Sequence, residues 1–369
     1  MVGKSSTSYR KATAIMDFEF PEDRVAISSL CSARQKISWS FFRRLLHLTS
    51  KLAIDELGSR YLWNNRPIYA IDGTKLNLPR SLKKLKYKGT HKGCFYPQGM
   101  LTSLVLLKAN IPCNFVFARK TSELASVREH LKHVKKGGVV SYDRLYFTKN
   151  TLVAHSESNI DAVFRLKTKT TLKEAVNFIE SNQIDTVVRV QREGLDIKIR
   201  FVRYEVSSNE YYLATTLLDK DKYPISALKG LYHKRWGIEE SYKHLKKECY
   251  VEEFHSRKPQ GVKQEIGVAM ILNLINHLAK LGSTRKKQIS LGVSNHLFQF
   301  YLSKIWTKTG LVRKQAIEDL LRVCHDKRCQ SPPERSFPRR SRKVINRWQR
   351  SIAKEWDKKK RQERRALKP

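Results

Sequence analysis

Along the chain, apolar positions switch between helical and strand-like spacing. Up to about residue 64 the spacing is helical, and Trp39, Phe42, Leu45, Leu46, Leu48 and Leu52 are expected on one buried stripe. The texture changes at Pro67, which opens PIYAIDGTKLNLP, a short run rich in β formers and closed by Pro79. A basic connection, RSLKKLKYKGTHKG, leads to two more strand-like runs, GMLTSLVLLKA and CNFVFARK. From Ser122 to Lys136 the spacing is helical again, through Leu124, Val127, Leu131 and Val134, until Gly137 and Gly138 stop it. GVVSYDRLYF reads as a fourth strand and, after a short helical stretch, DAVFRLKT as a fifth.

Three strands, a helix, a strand, a helix and a strand is the order of a ribonuclease-H-like α/β core, a mixed sheet with helices on both faces. Residues 186–218 interrupt it. TVVRVQ, LDIKIRFVRYEV and EYYLATTLL are three strand-like runs parted by Glu193-Gly194 and Ser207-Ser208-Asn209, as in an inserted β meander. From Tyr223 to the low 320s the spacing is helical, and no internal repeat is present. The expected organisation is a helical region (1–64), a core (65–185 and 219–262), the β insertion (186–218), a second helical region (263–333) and a basic tail (334–369).

Hydrophobic residues make up 40% of the chain, enough for a core, so wholesale disorder is not expected. Charge changes the picture more. Lys and Arg number 73 against 34 Asp and Glu, a net charge of +39 that repels itself unless a polyanion neutralises it. Double-stranded DNA is the obvious partner, because neutralising phosphates releases condensed counterions. The last 36 residues hold 15 Lys or Arg against four acids, yet most of the excess lies elsewhere. The opening residues, MVGKSSTSYRKATAIMDF, contain no apolar signal core. Asn273, Asn276 and His277 interrupt the most apolar stretch, so no membrane span is expected. Six scattered cysteines fit reduced thiols in a cytoplasm. A zinc set of Cys324, His325 and Cys329 would need a fourth ligand from elsewhere. No phosphate-binding glycine loop suggests a nucleotide cofactor.

The most specific feature is YHKRWGIEESYKHLKK. On one straight helix at about 100° per residue, Tyr232, Arg235, Glu239 and Lys246 fall within a sector of about 60°. An intrahelical pair of Glu239 with Lys243 would be the plain alternative, worth a few tenths of a kcal/mol. Asp72 stands late in an apolar strand, where a carboxylate is poorly solvated without a cation or a partner. The same residue could instead mark an Asp-Gly turn, since Gly73 follows it. Asp143 reads either as a site acid or as half of a surface pair with Arg144.

Tyr232-x2-Arg235-x3-Glu239-x6-Lys246 resembles the Y-R-E-K signature of the transposases of insertion sequence family four. IDGTKLNLP resembles the strand that bears that family's first aspartate, Asp72 here. YDRLYF resembles the second-aspartate segment, Asp143 with Arg144 and Tyr146, although Leu145 stands where a glycine is common. The resemblance runs from about residue 66 to 262. It implies Asp72, Asp143 and Glu239 as catalytic acids holding two Mg²⁺ ions, with Mn²⁺ as substitute. Such a pair can activate the attacking oxygen and stabilise the leaving one, and hard cations want carboxylate oxygens. It also implies phosphate contacts from Arg235 and Lys246, and a phosphate or base contact from Tyr232, whose alternative is a core contact. Trp236 would stack on a displaced base or pack in the core. Arg144 and the loop lysines Lys83, Lys84, Lys86 and Lys88 would meet DNA, unless that loop is a solvated turn.

The expected protein is therefore a metal-dependent DNA transposase acting as a homodimer on paired element ends, cytoplasmic and associated with the nucleoid. A nuclease on the same core without strand transfer, or a non-catalytic DNA-binding relative, is the alternative.

Overall fold

The computed structural model describes residues 24–89, 95–119, 122–168, 172–192, 195–281 and 308–326, with isolated positions in 13–22 and 294–305. The basic tail, Cys329 and the His325 side chain lie outside them.

Two helices open the described chain, α1 (Ile27–Lys36) and α2 (Trp39–Leu57). A tight hairpin then joins β1 (Leu62–Trp63) to β2 (Arg66–Asn77). Asn64 and Asn65 form its turn with φ of 45° and 58°, a left-handed geometry that asparagine tolerates. There follow β3 (Gln98–Leu106), β4 (Ile111–Ala118), α3 (Val127–Leu131), β5 (Val139–Tyr142), α4 (Lys149–Ser158), β6 (Asp161–Arg165) and α5 (Lys173–Glu180). Three more strands come next, β7 (Asp185–Arg192), β8 (Leu195–Val206) and β9 (Asn209–Thr215). The last described elements are α6 (Ile225–Lys234), α7 (Trp236–Lys247), α8 (Pro259–Leu281) and α9 (Gly310–Asp326).

Among the described residues the strands form one nine-stranded sheet in the order β4-β3-β2-β5-β6-β9-β8-β7, with β1 paired to β2. β2, β3 and β4 run antiparallel, and β5 and β6 run parallel to β2. This is the ribonuclease-H-like arrangement anticipated from the element order. The segment inserted in sequence is continuous in space: β9 pairs with β6, and β8 and β7 extend the same sheet. Every β3 residue after Gln98 is buried, so both faces of the sheet's centre are covered. In β2 the buried run ends at Ile71. Asp72, Gly73 and Thr74 are half-buried, and the strand emerges from the core at Asp72.

On α2 the buried face is Leu46, Ser50 and Ile54. Leu48 and Leu52 were expected on that stripe but are 49% and 68% exposed, because 3.6 residues per turn carries them to the far side. α2 packs closely on α8, where a Cβ on Gly267 would come within 2.6 Å of the Phe42 Cβ. The polar residues that interrupt the apolar run of α8 are buried, and the two asparagines are hydrogen-bonded. Asn273 donates to the Ser241 hydroxyl (2.9 Å), and the Asn276 carbonyl oxygen accepts from Ser294 (3.1 Å). No helix among the described residues is long and apolar enough to cross a membrane.

Four further elements differ from the pattern reading. The helix expected over Ser122–Lys136 is regular only over α3. Bonds from His133 N–H to the His130 carbonyl and from Val134 N–H to the Leu131 carbonyl tighten its end into 3₁₀ turns. β5 stops at Tyr142, and Asp143–Tyr146 is a turn closed by a 3.1 Å backbone bond. α5, which buries Ala175 and Phe178, was not expected at all. The signature segment is two helices rather than one, as described next.

Candidate active site at the middle of the sheet

β2 and β5 bring two acids together. Ala70 lies opposite Ser141 in their parallel pairing, and Asp72 and Asp143 each stand two residues further on. Neighbouring strands are about 4.8 Å apart, so the two acids emerge side by side. The Asp72 carboxylate accepts a 2.9 Å bond from the Gly73 amide. Burial pushes its pKa from 3.8 up to about 7. The Gly73 amide and Arg235 oppose that rise, and the charges of Glu123 and Asp143 add to it.

Glu239 arrives from the helical segment. The straight helix expected from Tyr232 to Lys246 is broken at Arg235. There the Arg235 amide bonds to the Tyr232 carbonyl and the Ile238 amide to the Arg235 carbonyl, both at 3.0 Å and both three residues apart. This tightening separates α6 from α7. The Arg235 side chain, 9% exposed, is thereby set between two acids: Nη2 donates to Glu239 Oε1 at 2.6 Å and Nη1 lies 3.6 Å from Asp72 Oδ2. Its Nε is buried without a hydrogen-bond partner. The Tyr242 hydroxyl donates to the Asp72 carbonyl (2.7 Å) and pins α7 to β2.

Lys246 is held further along β2, donating to the Lys75 carbonyl at 2.8 Å with Glu252 at 3.9 Å. The Tyr232 ring packs against the core with the Arg235 guanidinium 5.6 Å from its centroid. Its hydroxyl is buried without a hydrogen-bond partner, and burial raises its pKa. Trp236 is not in the core: it is 56% exposed, with its indole N–H on Glu240 and Lys243 over its ring. Lys243 pairs with Glu240, leaving Glu239 to Arg235.

Sequence reasoning missed Glu123. It sits in a stretch read as an ordinary helix, and only the folded chain carries it to Asp72. Its side chain packs where a Cβ on Gly73 would come within 2.5 Å. Its carboxylate accepts a 3.1 Å bond from the Tyr146 hydroxyl, and burial raises its pKa. Arg144 is exposed on the turn after Asp143. Lys83, Lys84, Lys86 and Lys88 are exposed on and after a 3₁₀ turn over Arg80–Leu85, where Arg80 and Lys83 lie over the Phe95 ring. Among the described residues no contact links these lysines to the acids.

The donor chemistry of Asp72, Glu123, Asp143 and Glu239 fits a hard divalent cation, which takes carboxylate oxygens. As arranged, no three His, Cys, Asp or Glu among the described residues stand close enough to hold an ion. Between Asp72 and Glu239 the positive charge is the Arg235 guanidinium.

The chain is similar to known transposases. Over 285 residues the chain is 22% identical to the transposase InsG for insertion sequence element IS4 of Escherichia coli (strain K12), covering 71% of this chain. It spans 63% of that relative's length. Against the cryo-EM structure of a piggyBac transposase synaptic complex with hairpin DNA, the TM-score is 0.40 at 9% identity, over 87% of this chain and 77% of the other. The model of the transposase DDE domain matches residues 63–274, more than half the chain, from β1 through most of α8 and across all four acids. The chain belongs to the DDE transposase family.

Proposed function

We propose that this protein is a DNA transposase that binds the terminal inverted repeats of an insertion sequence, cleaves the element's ends and joins them to target DNA. The observation that carries the reading is the parallel register of β2 and β5, which sets Asp72 beside Asp143, with Arg235 joining Asp72 to Glu239. Asp72, Asp143 and Glu239 would hold the divalent cations on which the family depends, two Mg²⁺ ions with Mn²⁺ as substitute. Such ions, when bound, polarise the phosphoryl oxygens and lower the pKa of a bound nucleophile.

The chain's own groups then have distinct tasks. Arg235 neutralises Asp72 and Glu239 before cations arrive, and its planar fork suits a phosphate oxygen afterwards. Lys246 provides a point charge one strand turn further along. The Tyr232 hydroxyl, buried beside the Arg235 guanidinium, would meet a phosphate once it is uncovered. The exposed Trp236 ring suits stacking on an unpaired base. Arg144 and Lys83, Lys84, Lys86 and Lys88 track the DNA backbone. A homodimer on paired ends, working in the cytoplasm at the nucleoid, completes the reading.

The test uses the full chain, Mg²⁺ and a duplex carrying the inverted repeats that flank its coding region, with a target plasmid. The parent is expected to cut and join, and Asp143→Ala and Glu239→Gln to do neither. Cutting without joining would replace the proposal with a nuclease. Equal activity in parent and variants, or none in any, would overturn it.

A further inference from the structure

One half-buried carboxylate near the three acids has no assigned task. Glu123 enters from the connection between β4 and α3 and is fixed from two sides. Its Cγ occupies the space that a side chain on residue 73 would need, so it lies directly against the residue after Asp72. Its Oε2 accepts the Tyr146 hydroxyl bond, while the Tyr146 amide bonds to the Asp143 carbonyl at 3.1 Å. Tyr146 is fully buried, so one rigid turn holds both Asp143 and Glu123 in place.

The charges do not balance. Asp72, Glu123 and Asp143 carry like charge within electrostatic reach of one another. Arg235 is committed to Asp72 and Glu239. Among the described residues Glu123 has a neutral phenol as its hydrogen-bond partner and no paired cation, with Lys75 acting only through space. A carboxylate kept for structure alone would be expected to face an arginine or lysine, as Glu129 faces Arg43 and Glu265 faces Arg34.

We propose that Glu123 is a fourth cation-holding residue of this site, its carboxylate serving the divalent ion that Asp72 and Asp143 hold. The proposal rests on the acid-site reading given above. Tyr146 acts as a positioning residue, since its hydroxyl orients the Glu123 carboxylate.

The test measures Mn²⁺ binding to the full-length protein without DNA, by calorimetry and by the spin-resonance signal of free Mn²⁺. The variants are Glu123→Gln, Tyr146→Phe and Asp143→Asn, and each is also melted without metal. Glu123→Gln is expected to weaken Mn²⁺ binding about tenfold or more, and Tyr146→Phe several-fold. Metal-free melting of Glu123→Gln should be no lower than the parent's, because a like charge has been removed. Parent-like affinity in Glu123→Gln, alongside lost binding in Asp143→Asn, would overturn the proposal and leave the acid site standing. Parent-like affinity in Asp143→Asn as well would overturn the acid site itself. Should Glu123→Gln not fold, Tyr146→Phe decides, and unchanged affinity there overturns the proposal.

Discussion

Asp72 makes the metal-free protein pay a measurable stability cost, and Asp72→Asn removes it. The carboxyl is 16% exposed and stands near Glu123 and Asp143, and burial is the largest cause of its rise from 3.8 to about 7. The folded state therefore keeps a proton that the unfolded chain has released. Stability from this group is fully present below pH 3.8 and is lost as pH rises through about 7. At about 1.4 kcal/mol per pH unit, a shift of this size costs on the order of 4 kcal/mol at pH 8. Asparagine stands for the neutral carboxyl and keeps an oxygen for the Gly73 amide. In EDTA at pH 8, Asp72→Asn is expected to be up to about 4 kcal/mol more stable than the parent, and near pH 4 the two should converge. Urea unfolding followed by tryptophan fluorescence at pH 4, 6 and 8 measures the gap. Adding Mn²⁺ at pH 8 should raise the parent's stability and leave the variant's nearly unchanged. A variant less stable than the parent at pH 8, or a gap constant across pH, would refute the reasoning.

Other outcomes follow from separate parts of the fold. Arg200 is fully buried, holds Asp185 through two bonds (2.9 and 2.7 Å) and donates to the Asp219 and Tyr223 carbonyls. Arg200→Met leaves Asp185 with only the more exposed Lys220 (3.5 Å) and strips two carbonyls of their donor, and should cost about 3–5 kcal/mol in urea unfolding. Burial lowers the pKa of His130 and His277 to about 3 and of His155 and His244 to about 4. Stability from these neutral rings is present above pH 6.5 and is lost as pH falls toward 4, so unfolding free energies should drop across that window, less steeply in His155→Gln. Gly73→Ala must displace the Glu123 side chain and should abolish DNA cleavage while costing only about 1–3 kcal/mol of stability. Replacing Lys83, Lys84, Lys86 and Lys88 by alanine should flatten the salt dependence of DNA binding by roughly one unit of slope per lost phosphate contact, read by anisotropy titrations.

Much of the core was legible because strand periodicity is local. Apolar runs around Ile68–Ile71, Val139–Val140 and Ala162–Phe164 announced strands, and their order announced the sheet. The spacing from Tyr232 to Lys246 implied one helix where the structure has two. A straight helix was assumed, whereas three-residue bonds at Arg235 divide the segment, and which acids the guanidinium meets is set by β2 as well as by the helix. Core packing stayed open for Trp236 because hydrophobicity alone does not say which face of a helix is covered.

What the sequence by itself determined is the strand pattern and the excess of positive charge, both carried by neighbouring residues, together with the short segments that make Asp72, Asp143 and Glu239 candidates. Tertiary structure alone decided that the inserted strands continue the main sheet, that Arg235 stands between Asp72 and Glu239, and that Glu123 lies against Gly73. The reason is physical. A side chain's period along the chain is fixed by backbone geometry, but its partner and its burial are fixed by segments many residues away.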